Sequence, residues 1–176
     1  MNRPHTLFLA VANLAVAATV SPAIARDIPE KLAPPMNEEG LFDVVARGFQ
    51  VYECAEGKSG APEWVFRGPE ATLSDNAGAQ VGKHYGGPTW ESTDGSLVVG
   101  EMVASAPADD SHSIPQLLLR AKSHSGTGRF ASVSSIQRLQ THGGVAPSSG
   151  CTVEQFGTVL KSPYVARYFF YGRKRD

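Results

Sequence analysis

The sequence has few of the features that mark common enzyme classes or integral membrane proteins. No segment after Val20 is apolar enough to span a bilayer, which needs about 20 consecutive apolar residues. The chain contains no H-E-x-x-H zinc motif, no G-x-S-x-G nucleophile elbow and no G-x-G-x-x-G dinucleotide fingerprint. The usual signatures of metalloproteases, serine hydrolases and nicotinamide dehydrogenases are therefore missing.

An excess of charge of either sign is also missing. The 16 Lys and Arg residues nearly balance the 17 Asp and Glu residues, for a net charge of −1. Such a surface has no general attraction for a phosphate backbone, so we expect no nucleic-acid partner. The basic tail at 173–176 is the exception. It is predicted to be frayed and solvated, with contact to an anionic envelope surface as the alternative.

The first 25 residues have the three-part layout of a secretory signal peptide. Arg3 gives a positive start, residues 6–20 form an apolar run, and Ala23-Ile24-Ala25 is an A-x-A cleavage site. The run is too short to span a bilayer, which makes an uncleaved anchor the weaker alternative. We therefore expect cleavage near Ala25 and a secreted or periplasmic mature chain of 151 residues without a membrane span.

Cysteine is scarce, since only Cys54 and Cys151 are present. A signal peptide would deliver both to an oxidising compartment, where such a pair normally forms a disulfide. This bond would join the first confident strand to the segment before the last strand. A catalytic thiol is the alternative, but the histidines form no recognisable cysteine-nucleophile signature.

The length of the mature chain favours one domain with one core. Segment 26–40 contains three prolines and no apolar period, which predicts an extended lead-in. Across 41–172, short runs rich in β-branched and aromatic residues end in Gly, Pro, Asn or Asp at roughly ten-residue spacing. This rhythm predicts a single all-β domain, an antiparallel β-sandwich or small barrel with one disulfide and little helix.

Three segments allow more specific predictions. Alternation in PYVARYFFYG is typical of a strand at the centre of a sheet. The unbroken LLL at 117–119 indicates a strand buried on both faces, with a short helix as the alternative. Asp94-Gly95 is the best hairpin signal. A two-residue turn there would place Glu91 opposite Val98 and Trp90 opposite Val99, with Trp90 and Glu91 on opposite faces. RFASVSSIQRLQTHGG is predicted as a bulged strand, with a helical turn as the alternative because Val133, Ile136 and Leu139 are spaced by three. TVEQFGTVL is predicted as the site of a helical turn.

Six segments together resemble a family of secreted bacterial and fungal proteins classified as a domain of unknown function. They are GFQVYEC, WVFRGPEATLSD, VGKHYGGPTWESTDGSLVVG, IPQLLLRA, SIQRLQTHGG and SPYVARYFFYG, of which HYGGPTWE is the most specific. The resemblance runs from about Leu41 to Gly172, and it implies one domain, secretion and paired cysteines. Some fungal relatives carry a malate dehydrogenase label, which this sequence does not support because it lacks the dinucleotide fingerprint and βαβ alternation.

The segment HYGGPTWESTDGS at 84–96 holds four candidate ligand-binding residues: His84, Tyr85, Trp90 and Glu91. His84 could move protons with Glu91 as its orienting carboxylate, or bind a metal together with Glu91 and His124. Sheet scaffold is the competing interpretation. It makes Gly86-Gly87-Pro88 a turn, Trp90 a core anchor and His84 a hydrogen-bonded strand residue.

Two further candidates, Arg120 and Arg138, lie in predicted strands between apolar neighbours. If they face inward they must be paired, either with an acidic side chain or with a carboxylate or phosphate ligand.

Together these residues favour a non-catalytic module, without a cofactor, that binds a small molecule, a glycan or an envelope protein. The alternative is a hydrolase or metalloenzyme centred on His84, Glu91 and His124. Convergence of those three side chains would favour the enzyme, and their separation beside an apolar groove would favour binding.

Intact-mass analysis of the exported protein should find a chain that begins at Arg26 and weighs two hydrogens less than its reduced form. Cleavage at the A-x-A site and oxidation of the cysteine pair are the physical reasons. A chain that still begins at Met1, or one with two alkylatable thiols, would contradict this prediction.

Overall fold

A computed structural model describes residues 28–175, so the predicted signal peptide at 1–25 lies outside the described residues. Eight antiparallel strands follow one another around a closed barrel, in which the last strand pairs with the first. The strands are β1 (Glu38–Glu56), β2 (Pro62–Ser74), β3 (Gln80–Tyr85), β4 (Thr89–Ser92), β5 (Leu97–Ala106), β6 (Gln116–Ser125), β7 (Ser135–Gly143) and β8 (Val159–Arg173). The all-β prediction is confirmed, and of the two predicted architectures the chain adopts the barrel.

Helical structure in the described part of the chain is limited to two 3₁₀ turns, Glu30–Leu32 and Val153–Gln155. The second is the helical turn predicted for TVEQFGTVL. No helix within residues 28–175 has the length and apolar character needed to cross a membrane.

The barrel interior is filled by side chains that alternate along the strands. On β8 the inward residues Tyr164, Ala166, Tyr168 and Phe170 are all buried, as the sequence pattern predicts. At one end Phe170 packs against Phe42 and Phe130, with ring centroids 4.8 and 5.0 Å away. These rings close that end of the barrel.

The hairpin between β4 and β5 differs from the prediction by one residue. Trp90 pairs with Val98 and Glu91 with Leu97. The amide of Ser92 donates to the carbonyl of Ser96 at 2.8 Å, which leaves a three-residue loop ending in Gly95 at a φ of 83°. A three-residue hairpin normally ends in such a left-handed glycine, so the Asp94-Gly95 signal fits this turn as well as the two-residue one.

Part of the predicted lead-in at 26–40 packs against the barrel. Leu32 is fully buried against Ala106, Leu118 and Leu139, on the outer face of β5, β6 and β7. Its carbonyl accepts a 2.5 Å hydrogen bond from the side chain of Gln137. Leu118 is therefore covered from outside while Leu119 faces the core, which confirms burial on both faces at the leucines, whereas residues 122–125 of β6 are exposed.

The segment predicted as a bulged strand, 129–144, forms one only at 135–143, because residues 129–134 belong to the connection that precedes β7. The register of β7 against β8 shifts between Leu139 and His142, and Gln140 takes a positive φ of 50°. This irregularity re-aims the end of the strand.

The predicted disulfide joins Cys54 to Cys151, with their Cα atoms 5.4 Å apart. Cys54 is a buried residue near the end of β1, and Cys151 lies in the connection between β7 and β8. The amide of Cys54 donates to Thr158 and its carbonyl accepts from Gly157, both at 2.9 Å. Covalent and hydrogen bonds therefore hold the same junction.

Replacing both cysteines by alanine should lower the free energy of unfolding by about 2–5 kcal/mol, because the unfolded chain regains the entropy lost by closing a 97-residue loop. Urea unfolding measures this change, and reduced wild-type protein should unfold with the same midpoint as the double variant. An unchanged midpoint in both samples would contradict the prediction.

Candidate functional site

The wall of the barrel divides the four candidate residues of segment 84–96. His84 pairs with Trp90 across β3 and β4, and both side chains are buried inside. Their rings stack with centroids 4.5 Å apart and an interplanar angle of 10°. Tyr85 and Glu91 point outward, where the tyrosine hydroxyl donates to the carboxylate at 2.8 Å. The predicted separation of Trp90 and Glu91 is confirmed, and the four residues do not share one pocket.

His84 is a neutral, hydrogen-bonded side chain. Its Nδ1 lies 2.8 Å from the carbonyl oxygen of Thr89, so this nitrogen carries the proton and donates it. Burial lowers the pKa of His84 to about 3, against the opposing effect of the hydrogen bond to Thr89. The imidazole therefore stays uncharged at physiological pH, as the scaffold interpretation requires.

The three residues of the predicted hydrolase or metal centre do not converge. Glu91 is on the outer surface, where hydrogen bonds from Tyr85 and Lys83 lower the pKa of its carboxyl group. His124 lies on β6, three strands away from His84, and its Nε2 is 2.7 Å from the carbonyl oxygen of Val133. No group of three or more His, Cys, Asp or Glu side chains within residues 28–175 could hold a metal ion.

The two candidate arginines face opposite sides of the barrel wall. Arg120 points outward and donates two hydrogen bonds to Glu101, at 3.0 and 2.7 Å. Arg138 lies between the inward residues Leu117 and Tyr168 in the strand register. Its Nε and Nη2 both donate to the carbonyl oxygen of Pro115, at 3.0 and 2.9 Å. Of these two arginines, Arg138 is the one that faces the barrel interior.

A cavity of about 390 Å³ occupies the end of the barrel opposite the phenylalanine cluster. Its mouth lies beside Phe66 and Met102, whose side chains are exposed. Most of the lining is apolar, and its polar members are Gln50, Tyr52, Arg67, His84 and Arg138. Of the predicted site residues, therefore, only His84 and Arg138 line the cavity, with Trp90 stacked behind the histidine.

Two cavity residues, Gln50 and Tyr52, are missing from the sequence-based candidates. Both lie on the same face of β1 as the buried Cys54. A polar glutamine at an inward position of a strand was the available signal. The hydroxyl of Tyr52 donates to the carbonyl of Gly144 at 2.7 Å, which ties β1 to the loop at the cavity end.

Several buried polar groups near the cavity have no partner at ordinary hydrogen-bond geometry among residues 28–175. They are Gln50 Nε2, Trp90 Nε1 and the hydroxyl groups of Tyr164 and Tyr168. Burial raises the pKa of both tyrosines, so both phenols remain protonated and able to donate. Weak side-chain hydrogen bonds link Tyr164 to Tyr168 and to Gln50, of which the first raises and the second lowers the pKa of Tyr164.

Comparison with known proteins identifies a family. Residues 34–172 match the family described as Protein of unknown function (DUF3455). The chain belongs to this family. The match covers the whole barrel except the last residue of β8, and it confirms the resemblance to a domain of unknown function. No curated protein and no solved structure is similar enough to the chain to count as a match.

The buried imidazole should make the stability of this DUF3455 protein depend on pH. Below pH 6.5 the unfolded chain protonates His84 and the native chain does not, so stability falls as the pH falls. Between pH 7 and pH 5 the loss should be about 2 kcal/mol. Urea unfolding between pH 5 and pH 7 measures this loss in the wild type and in His84→Asn. The asparagine keeps a donor for the carbonyl of Thr89 but does not titrate. Equal slopes for the two proteins would contradict the assignment.

Proposed function

We propose that the barrel is a non-catalytic binding module that holds a small molecule in the cavity beside His84 and Arg138. The observation that carries this proposal is the cavity itself, about 390 Å³ of largely apolar space inside a closed sheet. An eight-stranded barrel is just wide enough either to be filled by side chains or to hold one small ligand. Cavities of about 300–1,000 Å³ are typical of ligand sites.

The two ends of the barrel are built differently, which supports a ligand at one of them. Stacked and tilted rings of Phe42, Phe130 and Phe170 fill the closed end. At the middle, Tyr168 packs edge-on against Trp90 and His84, with centroids 5.3 and 5.1 Å away. These rings fill the middle of the barrel, and the space between them and the other end is available to a ligand.

The lining favours a small molecule over a glycan or a protein partner. Trp90 is fully buried, so its face is not available as a stacking platform for a sugar. The walls of the cavity are mainly aliphatic and aromatic: Phe66, Pro69, Pro88, Met102, Ile114, Leu117 and Leu119. Such a surface suits a ligand with a substantial apolar part.

Binding is also better supported than catalysis. The ring of His84 is neutral and engaged by Thr89, and Glu91 is on the other side of the wall. The side chains that line the cavity include no carboxylate to orient a general base.

The site of action that we propose is the periplasm or the cell exterior. The Cys54–Cys151 disulfide requires an oxidising compartment, which agrees with the signal peptide expected at 1–25.

The neutral fluorescent probe N-phenyl-1-naphthylamine should bind with one-to-one stoichiometry and gain fluorescence in the cavity. Leu117→Trp should weaken its binding roughly tenfold or more, because the indole occupies the space that the probe needs. Val159→Trp is the matched control, since Val159 is exposed on β8 and should leave the affinity unchanged. Absence of saturable binding, or equal losses in both variants, would overturn the proposed function.

A further inference from the structure

The geometry points to a more specific ligand class: an amphiphilic monoanion whose carboxylate binds Arg138 and whose apolar part fills the cavity. This inference rests on the proposed function and adds the chemistry of the ligand. Three features carry it, namely the charge of the lining, the way in which Arg138 is held, and the buried donors around it.

The side chains that line the cavity carry positive charge without a matching negative charge. Arg67 and Arg138 are the charged members of the lining, and no Asp or Glu is among them. Arg67 donates to Glu53 at 2.9 Å, so its charge is offset outside the lining. The two well-aligned hydrogen bonds of Arg138 go to a neutral main-chain carbonyl, that of Pro115, and a weaker one goes to the neutral hydroxyl of Tyr168. The charge of Arg138 is therefore the one directed at the cavity.

Arg138 is also held in position before any ligand arrives. The Pro115 carbonyl fixes the guanidinium through Nε and Nη2, and the strand register places the residue between Leu117 and Tyr168. A guanidinium has five N–H donors, so these two bonds use only part of its capacity. Because the side chain is already ordered, binding an anion costs little additional conformational entropy.

The polar groups around Arg138 include buried donors without a well-placed acceptor among the described residues. Gln50 lines the cavity and is only 2% exposed, yet its Nε2 has no partner at ordinary hydrogen-bond geometry within the described chain and interacts only weakly with Tyr164. The hydroxyls of Tyr164 and Tyr168 interact only weakly with each other, with Gln50 and with Arg138, and neither meets an acceptor at ordinary hydrogen-bond geometry in residues 28–175. A carboxylate only accepts hydrogen bonds, so it complements this set, whereas a cation would add further donors.

Displacement of N-phenyl-1-naphthylamine by octanoate and by 1-octanol tests the charge preference directly. The two competitors have the same chain length and differ in their head group. An apolar cavity without anion recognition would prefer the alcohol, because burying an unpaired carboxylate is costly. We expect octanoate to displace the probe at a roughly tenfold lower concentration, as charge-assisted hydrogen bonds require.

Arg138→Gln should remove this preference by weakening octanoate roughly 10- to 100-fold while changing 1-octanol by less than about twofold. Arg120→Gln is the control, since this arginine lies on the outer surface in an ion pair with Glu101, and its competitor ratio should equal that of the wild type. The wild-type comparison remains decisive if Arg138→Gln does not fold.

The outcomes separate the two proposals. Probe binding with 1-octanol as the equal or better competitor would overturn the anion assignment and leave the binding module standing. An octanoate preference that survives in folded Arg138→Gln would overturn the role of Arg138. Failure of the probe to bind would overturn the proposed function and the inference with it.

Discussion

The pairing of the first and last strands is the constraint on which the rest of the structure depends. β1 and β8 are the longest strands, and they pair from Glu38 with Arg173 through to Glu53 with Val159. Outside the barrel, Arg167 donates to Asp43 at 2.7 Å across the same seam. An open sheet of this length would present two unpaired edges and a face with no cover, whereas closure removes the edges and creates an inside. The disulfide reinforces the end of this seam by holding Cys54 beside the turn that leads into β8.

Closure of the barrel places each side chain either inside or outside the wall, and this position determines the polarity of its surroundings. His84 and Glu91 are seven residues apart and on adjacent strands, yet one is a neutral interior group and the other a surface carboxylate. The same rule separates Arg120 from Arg138 and leaves the latter facing the interior. A histidine, two arginines and a glutamate in one small sheet therefore form no catalytic constellation.

The sequence predicts the existence of the strands better than it predicts the inner face of each strand. Alternation in β8, the pair of cysteines and the glycine-ended hairpin follow from local patterns, and the structure confirms them. The register beyond Asp94-Gly95 is one residue off, because two- and three-residue turns share the same glycine signal. The sequence pattern does not show which face of β6 and β7 points inward. Leu32, an isolated leucine among prolines, covers Leu118 and Leu139 from outside, so the outer face is apolar as well. Because both faces are apolar, the two-residue alternation of these strands does not distinguish the orientation of Arg120 from that of Arg138.

The buried amide and hydroxyl donors beside Arg138 give a physical reason for a cavity at this end of the barrel. A buried donor without an acceptor destabilises the native state by about 1–3 kcal/mol, and the contacts among Gln50, Tyr164 and Tyr168 offset this cost only in part. Phenylalanine in place of the two tyrosines would preserve the packing and remove the unsatisfied hydroxyls, as the sequence does at Phe170 on the same face. Retaining hydroxyl and amide donors beside Arg138 has a physical rationale if an acceptor enters from outside. A ligand that supplies this acceptor stabilises the native barrel as it binds. The same hydrogen bonds then contribute to the affinity for the ligand and to the stability of the barrel.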